Sequence, residues 1–215
     1  MQRRPEPEYM DLDSEAAAYA DADFADVNDA FAQRLVALAA DIPTTDVVAL
    51  DLGTGPADIP RRVAALRPSW RIVAVDAAAA MLALAPKAAS VSLVRADASR
   101  CPFPDAALDV VFSNSILHHL PDPTDFWREV ARVARRGALV FLRDLARPDT
   151  ERAARDIVER YAGSESDLLR EEYYRSLLAA FTPDEVRAQL RDAGLQGLRA
   201  EMVTDRHMDV HGRVA

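Results

Sequence analysis

Three carboxylates recur down the first half of this chain, each close to the end of an apolar run. Asp51 lies in Val47-Val-Ala-Leu-Asp-Leu-Gly-Thr-Gly-Pro-Ala-Asp58, Asp76 closes Arg71-Ile-Val-Ala-Val-Asp76, and Asp97 follows Val91–Arg95 in Ala96-Asp97-Ala98. A carboxylate just before a tight Gly53-Thr54-Gly55 turn can bind a cationic ligand group. The two glycines accept positive φ and let a ligand lie against bare backbone. Asp76, 21 residues beyond Gly55, is placed to accept both hydroxyls of a ribose; the bland alternative is a surface helix cap. A fourth apolar run, Leu108–Phe112, leads into Ser113-Asn114-Ser115-Ile116-Leu117-His118-His119-Leu120. Histidine titrates near neutrality, so His118 or His119 can take a proton from a hydroxyl or amine. The competing reading is that one histidine caps the next helix and the other is buried and hydrogen-bonded. Arg143-Asp144, after a fifth run at Ala138–Leu142, either contacts a substrate or forms a structural ion pair. Adjacent histidines cannot both face one metal from a strand, and His207 and His211 lie far along the chain, so no metal site is expected.

The elements that must carry these groups follow from periodicity. Phe24, Val27, Phe31, Leu35 and Leu38 recur at spacings of three and four, the stripe of an amphipathic helix, after ten extended residues. Strands are expected at Val47–Leu52, 71–76, 91–95, 108–112 and 138–142, with helices at 57–66, up to about Ala85, and from Asp122-Pro123-Thr124-Asp125. This last start has a carboxylate cap and proline at the first helical position. Phe126, Val130 and Val133 form its apolar face, and Gly137 suits its stop. Alternating strands and helices imply βαβ units and a parallel sheet covered on both faces. Residues 150–180 hold two further helix-like segments, one with Ile157, Val158 and Tyr161, the other with Leu169, Tyr173, Leu177 and Phe181. Thr182-Pro183-Asp184-Glu185 has the capping-box pattern. Val186 and Leu190 face inward and Gly194 ends that helix. Gly197–Thr204 and His207–Val214 can pair around Asp205-Arg206 as an antiparallel hairpin.

The Asp51–Gly55 stretch resembles the first S-adenosylmethionine (SAM) motif of class I methyltransferases, whose ligand carries an ammonium beside a sulfonium. The order Asp51-Gly53-Gly55, Asp76, Asp97 strengthens the resemblance, which covers about residues 44–145 and points to the broad "type 11" group. A dinucleotide site would want G-x-G-x-x-G. Its third glycine position is Asp58, which would repel a pyrophosphate. The resemblance implies an α/β, doubly wound, Rossmann-like seven-stranded sheet: five parallel strands plus the terminal antiparallel hairpin. An N-terminal helical cap (1–43), a SAM-binding core (44–145), a helical insertion (146–181) and the last helix and hairpin (182–215) would make one domain. Cap and insertion would roof the site or only pack on the sheet; Tyr19, Tyr161, Tyr173 and Tyr174 are roof candidates. Cofactor contacts carried over by resemblance are Asp51, Gly53, Thr54 and Gly55; Asp76 and Ala77 at the ribose; Met81 near the adenine; Asp97 at its exocyclic amine and the Ala98 backbone at the ring; and backbone near Ser113 and Asn114 at the methionyl end. Phe103, in Cys101-Pro102-Phe103-Pro104-Asp105, either packs near the cofactor or is a buried loop aromatic.

Strand four does not end in the Asn/Asp-Pro-Pro-aromatic tetrad of amino-methylating nucleic-acid enzymes, and a single cysteine disfavours a multi-cysteine arsenite-methylating scheme. The expected reaction is methyl transfer to oxygen, nitrogen or carbon of a small acceptor, in bacterial secondary metabolism. Alternatives are a SAM-binding cyclase or decarboxylase, an NAD-dependent Rossmann enzyme and a non-enzymatic binding module. Composition agrees. The 215 residues suit one domain, and the net charge of −9 argues against nucleic acid. Residues 1–30 hold nine acids against Arg3 and Arg4, a charge of −7 that leaves −2 for the rest. Those acids form a solvated face, or an acidic lid attracting a cationic ligand. No apolar run approaches the ~20 residues of a membrane span, and the N-terminus lacks a signal-peptide stretch. Cys101 is the only cysteine and Lys87 the only lysine; the second fact hints at a GC-rich bacterial genome. A cytoplasmic protein without membrane partners, monomeric or homodimeric, is expected.

Overall fold

The computed structural model describes residues 1–5 and 25–215. Phe24, Tyr19 and the acids Glu6, Glu8, Asp11, Asp13, Glu15, Asp21 and Asp23 lie outside the described residues. In chain order the elements are α1 (Ala25–Leu38), β1 (Val48–Leu52), α2 (Asp58–Leu66), β2 (Arg71–Asp76), α3 (Ala79–Leu84), β3 (Val91–Arg95), β4 (Leu108–Asn114), a 3-10 turn (Leu117–His119), α4 (Thr124–Val133), β5 (Ala134–Leu145), α5 (Glu151–Ala162), α6 (Asp167–Ala179), α7 (Pro183–Asp192), β6 (Leu198–Met202) and β7 (His207–Arg213).

All seven strands form one sheet in the order β3-β2-β1-β4-β5-β7-β6. The first five run parallel, and β7 is antiparallel to both β5 and β6. Because side chains alternate along a strand, each face collects its own core. On one face Ala49, Ile72, Val110, Phe112 and Phe141 pack beneath Phe31 and Leu35 of α1, Val63 of α2 and Trp70. On the other, Leu50, Leu52, Val111, Val140 and Leu142 meet Phe126, Trp127 and Val130 of α4 and Val186 and Leu190 of α7. β1 and β4 are buried almost throughout, as an unbroken apolar run in a doubly covered sheet requires. Between these two strands the chain order reverses, and such a switch point opens a crevice at the carboxyl edge. No helix among the described residues is long and apolar enough to cross a membrane.

Two expected boundaries move. α4 begins at Thr124, so Pro123 occupies the N-cap rather than the first helical position, and the Asp122 carboxylate accepts from the Thr124 N–H at 2.9 Å. β5 starts directly at Ala134 and runs to Leu145, well beyond 138–142. Gly137 therefore does not stop the helix. It sits inside β5 at φ 80°, where the register against β4 jumps from Leu108↔Ala134 to Val110↔Leu139. The extra residues form a bulge, and glycine supplies its left-handed corner.

The capping box at Thr182 and Glu185 is present in both directions, at 3.3 and 2.8 Å. The hairpin forms around Asp205-Arg206 as β6 and β7. α5 and α6 pack on each other and on Leu145 through Ile157, Val158, Leu177 and Leu178.

Candidate active site

Gly53 sets the geometry of the turn after β1. Its φ is 70°, and a Cβ there would stand 2.8 Å from Ile116 Cδ1. The N–H groups of Gly53 and Thr54 donate to the Val75 carbonyl at 2.8 and 2.9 Å, which ties the turn to β2. Gly55, φ 56°, donates its N–H to Asp76 Oδ2 at 2.7 Å, while Asp76 Oδ1 accepts from the Ala78 N–H at 2.8 Å. Asp76 thus joins two strand-end turns. Burial pushes its pKa up, opposed by those backbone donors and by the nearby charge of His119. Ala77, which precedes the Ala78 donor, is half-buried, and Met81 is buried against Ala78.

Asp51, only 2 % exposed, stands at the base of the same turn. Burial raises its carboxyl from 3.8 to about 7; the Thr54 hydroxyl opposes the rise and the Asp76 charge adds to it. Among the described residues no arginine or lysine pairs with it. A buried carboxyl with no cationic partner among the described residues, beside a tight left-handed turn of bare glycine backbone, is suited to a cationic ligand group.

Asp97 is exposed after β3, its Oδ1 accepting from the Ser99 N–H at 2.7 Å, with Ala98 buried beside it. α4 holds this loop from behind. The Cys101 N–H donates to Glu129 Oε1 at 2.6 Å, and Arg132 reaches the carbonyls of Phe103 and Cys101 at 2.8 and 3.1 Å. Phe103 is half-buried against the core, and burial pushes the Cys101 thiol up to about 12, leaving it unreactive. At the end of β4 the fully buried Ser113 donates Oγ–H to the Leu52 carbonyl at 2.5 Å, and half-buried Asn114 lies opposite Arg143.

The 3-10 turn brings the histidines to this rim. His118 is 4 % exposed, with Nδ1 2.7 Å from Asp144 Oδ1. The Asp144 carboxylate also accepts the Leu117 N–H at 2.6 Å and the Leu145 N–H at 2.8 Å. Accepting on both oxygens, it is placed to take the Nδ1–H of His118, the tautomer that puts the ring's lone pair on Nε2. The His119 ring lies 4.0 Å from that of His118 and close enough to Asp76 to influence it. The histidines therefore link the Asp76 end of the rim to Asp144.

Sequence reasoning singled out Asp144 but missed its pairing with His118. Arg143 and Asp144 are neighbours on a strand and point to opposite faces, so they cannot pair with each other. Arg143 instead makes a bidentate contact with the fully buried Asp209 at 2.6 and 2.9 Å. Strand alternation was the available signal. Of the roof candidates, Tyr161 is half exposed and donates to Asp205, Tyr174 donates to Glu151, and Tyr173 is half-buried. α6 packs directly against the 3-10 turn.

Residues 50–142 match the family model described as "Methyltransferase domain". The 27-O-demethylrifamycin SV methyltransferase of Amycolatopsis mediterranei is 38% identical over 110 residues, 51% of this chain and 37% of that protein. The demethylmenaquinone methyltransferase of a Roseiflexus species is 37% identical over 116 residues, 53% of this chain and 48% of its own. The chain thus spans less than half the length of these curated relatives. A solved structure of Haemonchus contortus phosphoethanolamine N-methyltransferase 2 in complex with S-adenosyl-L-methionine superposes with a TM-score of 0.71 at 16% identity, covering 94% of this chain and 57% of that one. The sheet and its helices are therefore those of the Rossmann-like methyltransferase fold.

Proposed function

We propose, from the premise that this chain carries a domain of the class I SAM-dependent methyltransferase family, that the protein methylates a small-molecule acceptor with His118 as general base. The observation that carries this reading is the His118–Asp144 dyad, joined through His119 to the same carboxyl rim that bears Asp51, Asp76 and Asp97.

The residues present fit SAM. The unpaired Asp51 carboxyl takes the cationic methionyl end with the backbone of Gly53, Thr54, Gly55, Ser113 and Asn114. Asp76 keeps lone pairs for ribose hydroxyls beside Ala77. Met81, Asp97 and Ala98 take the adenine. Bound SAM supplies an electrophilic methyl group on its sulfonium. Asp144 fixes the ring and tautomer of His118 and stabilises it when protonated. His118 Nε2 accepts the proton of an acceptor hydroxyl or amine, a contribution of ~10²–10⁴ in rate. Burial of the dyad excludes water from that transfer. α5 and α6 (within 146–181) act as a roof over the His118 turn, and the 44–145 core binds the cofactor. The rifamycin and menaquinone relatives support a small organic acceptor, and the former a role in secondary metabolism.

Calorimetry with SAM, S-adenosylhomocysteine (SAH) and NAD tests the cofactor, and transfer of labelled methyl from SAM to a panel of phenols, alcohols and amines tests the chemistry. Binding of NAD in preference to SAH would remove the reading. SAH binding with no methyl transfer to any acceptor would favour a SAM-dependent enzyme of another reaction type.

A further inference from the structure

The turn that carries His118 is gripped from outside the rim. A three-residue 3-10 turn leaves several carbonyls without partners of its own. Arg3 collects them. Its Nη2 donates to the carbonyls of Leu120 at 2.7 Å and His118 at 3.3 Å, its Nη1 to that of Pro121 at 2.9 Å, and its Nε to that of Ala179, at the end of α6, at 2.5 Å. The guanidinium lies 3.8 Å above the Phe181 ring. A planar fork of five donors over an aromatic face suits this arrangement; a lysine ammonium would make at most three bonds without fixed geometry.

We infer that Arg3 is a positioning residue for His118, coupling the α5–α6 pair to the dyad. Asp144 holds the turn at its start through the Leu117 N–H, and Arg3 holds it at its end through three carbonyls. The imidazole is the side chain carried between these two grips. Anchoring of the N-terminal segment does not need Arg3. The Arg4 N–H already bonds the Leu178 carbonyl at 3.0 Å, the Arg4 side chain pairs with Glu151, and Arg147 Nε holds the Met1 carbonyl at 3.1 Å. Arg3 alone among these is aimed at the histidine turn. The catalytic consequence rests on the proposed role of His118; the mechanical coupling does not.

The test is solvent exchange of the His118 Nδ1–H in the full chain labelled with ¹⁵N-histidine. His211, whose Nε2 faces Glu201 at 2.9 Å far from the turn, serves as internal control. In Arg3→Ala the His118 ring proton should exchange at least about tenfold faster, or vanish by broadening, with His211 unchanged and SAH affinity within about twofold. Arg3→Lys should fall between, and methylguanidinium should restore slow exchange to Arg3→Ala only. Wild-type exchange in both variants overturns the inference, and if Arg3→Ala does not fold, Arg3→Lys decides. Failure of the wild type to bind SAH would remove the cofactor proposal and leave the exchange result standing.

Discussion

Asp51 shows how burial turns one side chain into two opposed pH dependences. Its carboxyl binds a proton more tightly in the folded chain, at about 7, than at its ordinary value of 3.8. Folding therefore penalises the ionised form. Its contribution to stability is most favourable below the ordinary value, falls as pH rises toward 7 and is level above; the full span is on the order of 4 kcal/mol. Asp51→Asn should melt above the wild type in the apo state near pH 8, with the gap closing toward pH 4. A cationic ligand group reverses the slope because it needs the carboxylate. SAM affinity of the wild type should climb by up to about tenfold per pH unit below 7 and level off above it, whereas Asp51→Asn should bind weakly and without that climb. Calorimetric titration and melting across this range check both halves, and parallel pH curves for the two proteins would refute the assignment. The dyad makes a second demand at this scale. His118→Ala should lose ~10²–10⁴ in turnover with SAM affinity nearly intact, and the pH–rate profile should lose its limb near neutrality. Asp144→Asn should fall in the same direction, because an amide cannot hold the Nδ1–H tautomer as a carboxylate does. If His118→Ala and His119→Ala both keep near-normal turnover, positioning alone drives transfer.

At the scale of elements, the turn into α2 contains a conflict between residue and conformation. Ala57 is its N-cap at φ 58°, 1 % exposed, in a left-handed conformation that costs a residue with a Cβ about 1–2 kcal/mol. Part of that is returned by the lower entropy of alanine in the unfolded chain. Ala57→Gly should therefore stabilise the protein by about 0.5–1 kcal/mol, a rise of roughly 1–4 °C in melting temperature; no rise, or a fall, would show that the methyl packs well enough to offset the strain. The same turn explains what was legible in the sequence. Gly53, Gly55 and the three acids follow apolar runs whose length and periodicity are local properties, so their strands and rim positions were readable. The length of β5 was not, because Gly137 reads equally as a helix stop or a bulge corner, and only the pairing with β4 distinguishes them. Nor was the link between Asp144 and His118, since it depends on how far the chain after β4 climbs before turning. The grip of Arg132 on the 101–105 loop is likewise a contact between α4 and a loop distant in sequence.

For the whole molecule, the ligand edge is the place where separately formed loops meet. The turn at 53–57, the Asp76 turn, the 97–105 loop and the His118 turn come from four different strand ends. Gly55 bonds Asp76, the Ala96 N–H leading into the third loop donates to the Asp76 carbonyl at 3.0 Å, Gly53 lies close against Ile116, and Asp144 at the end of β5 holds Leu117. Parallel topology alone brings them to one edge, which is why the edge was foreseeable while the bonds across it were not. A ligand that touches all four should stabilise the protein as one unit. At 100 times its dissociation constant, a ligand specific for the native state contributes about 2.7 kcal/mol. For a chain of this size that raises the melting temperature by roughly 5–10 °C. SAH should give such a shift and NAD at equal concentration should not. Asp76→Ala should lose most of it, because each charge-assisted bond to a ribose hydroxyl is worth ~1.5–3 kcal/mol. Hydrogen exchange recorded with SAH should slow at these four loops and leave the β6–β7 hairpin unchanged, since no residue of that hairpin reaches the rim acids Asp51, Asp76 or Asp97. Protection spread evenly over the sheet would mean that the ligand binds elsewhere, and a matching shift from NAD would overturn the cofactor assignment itself.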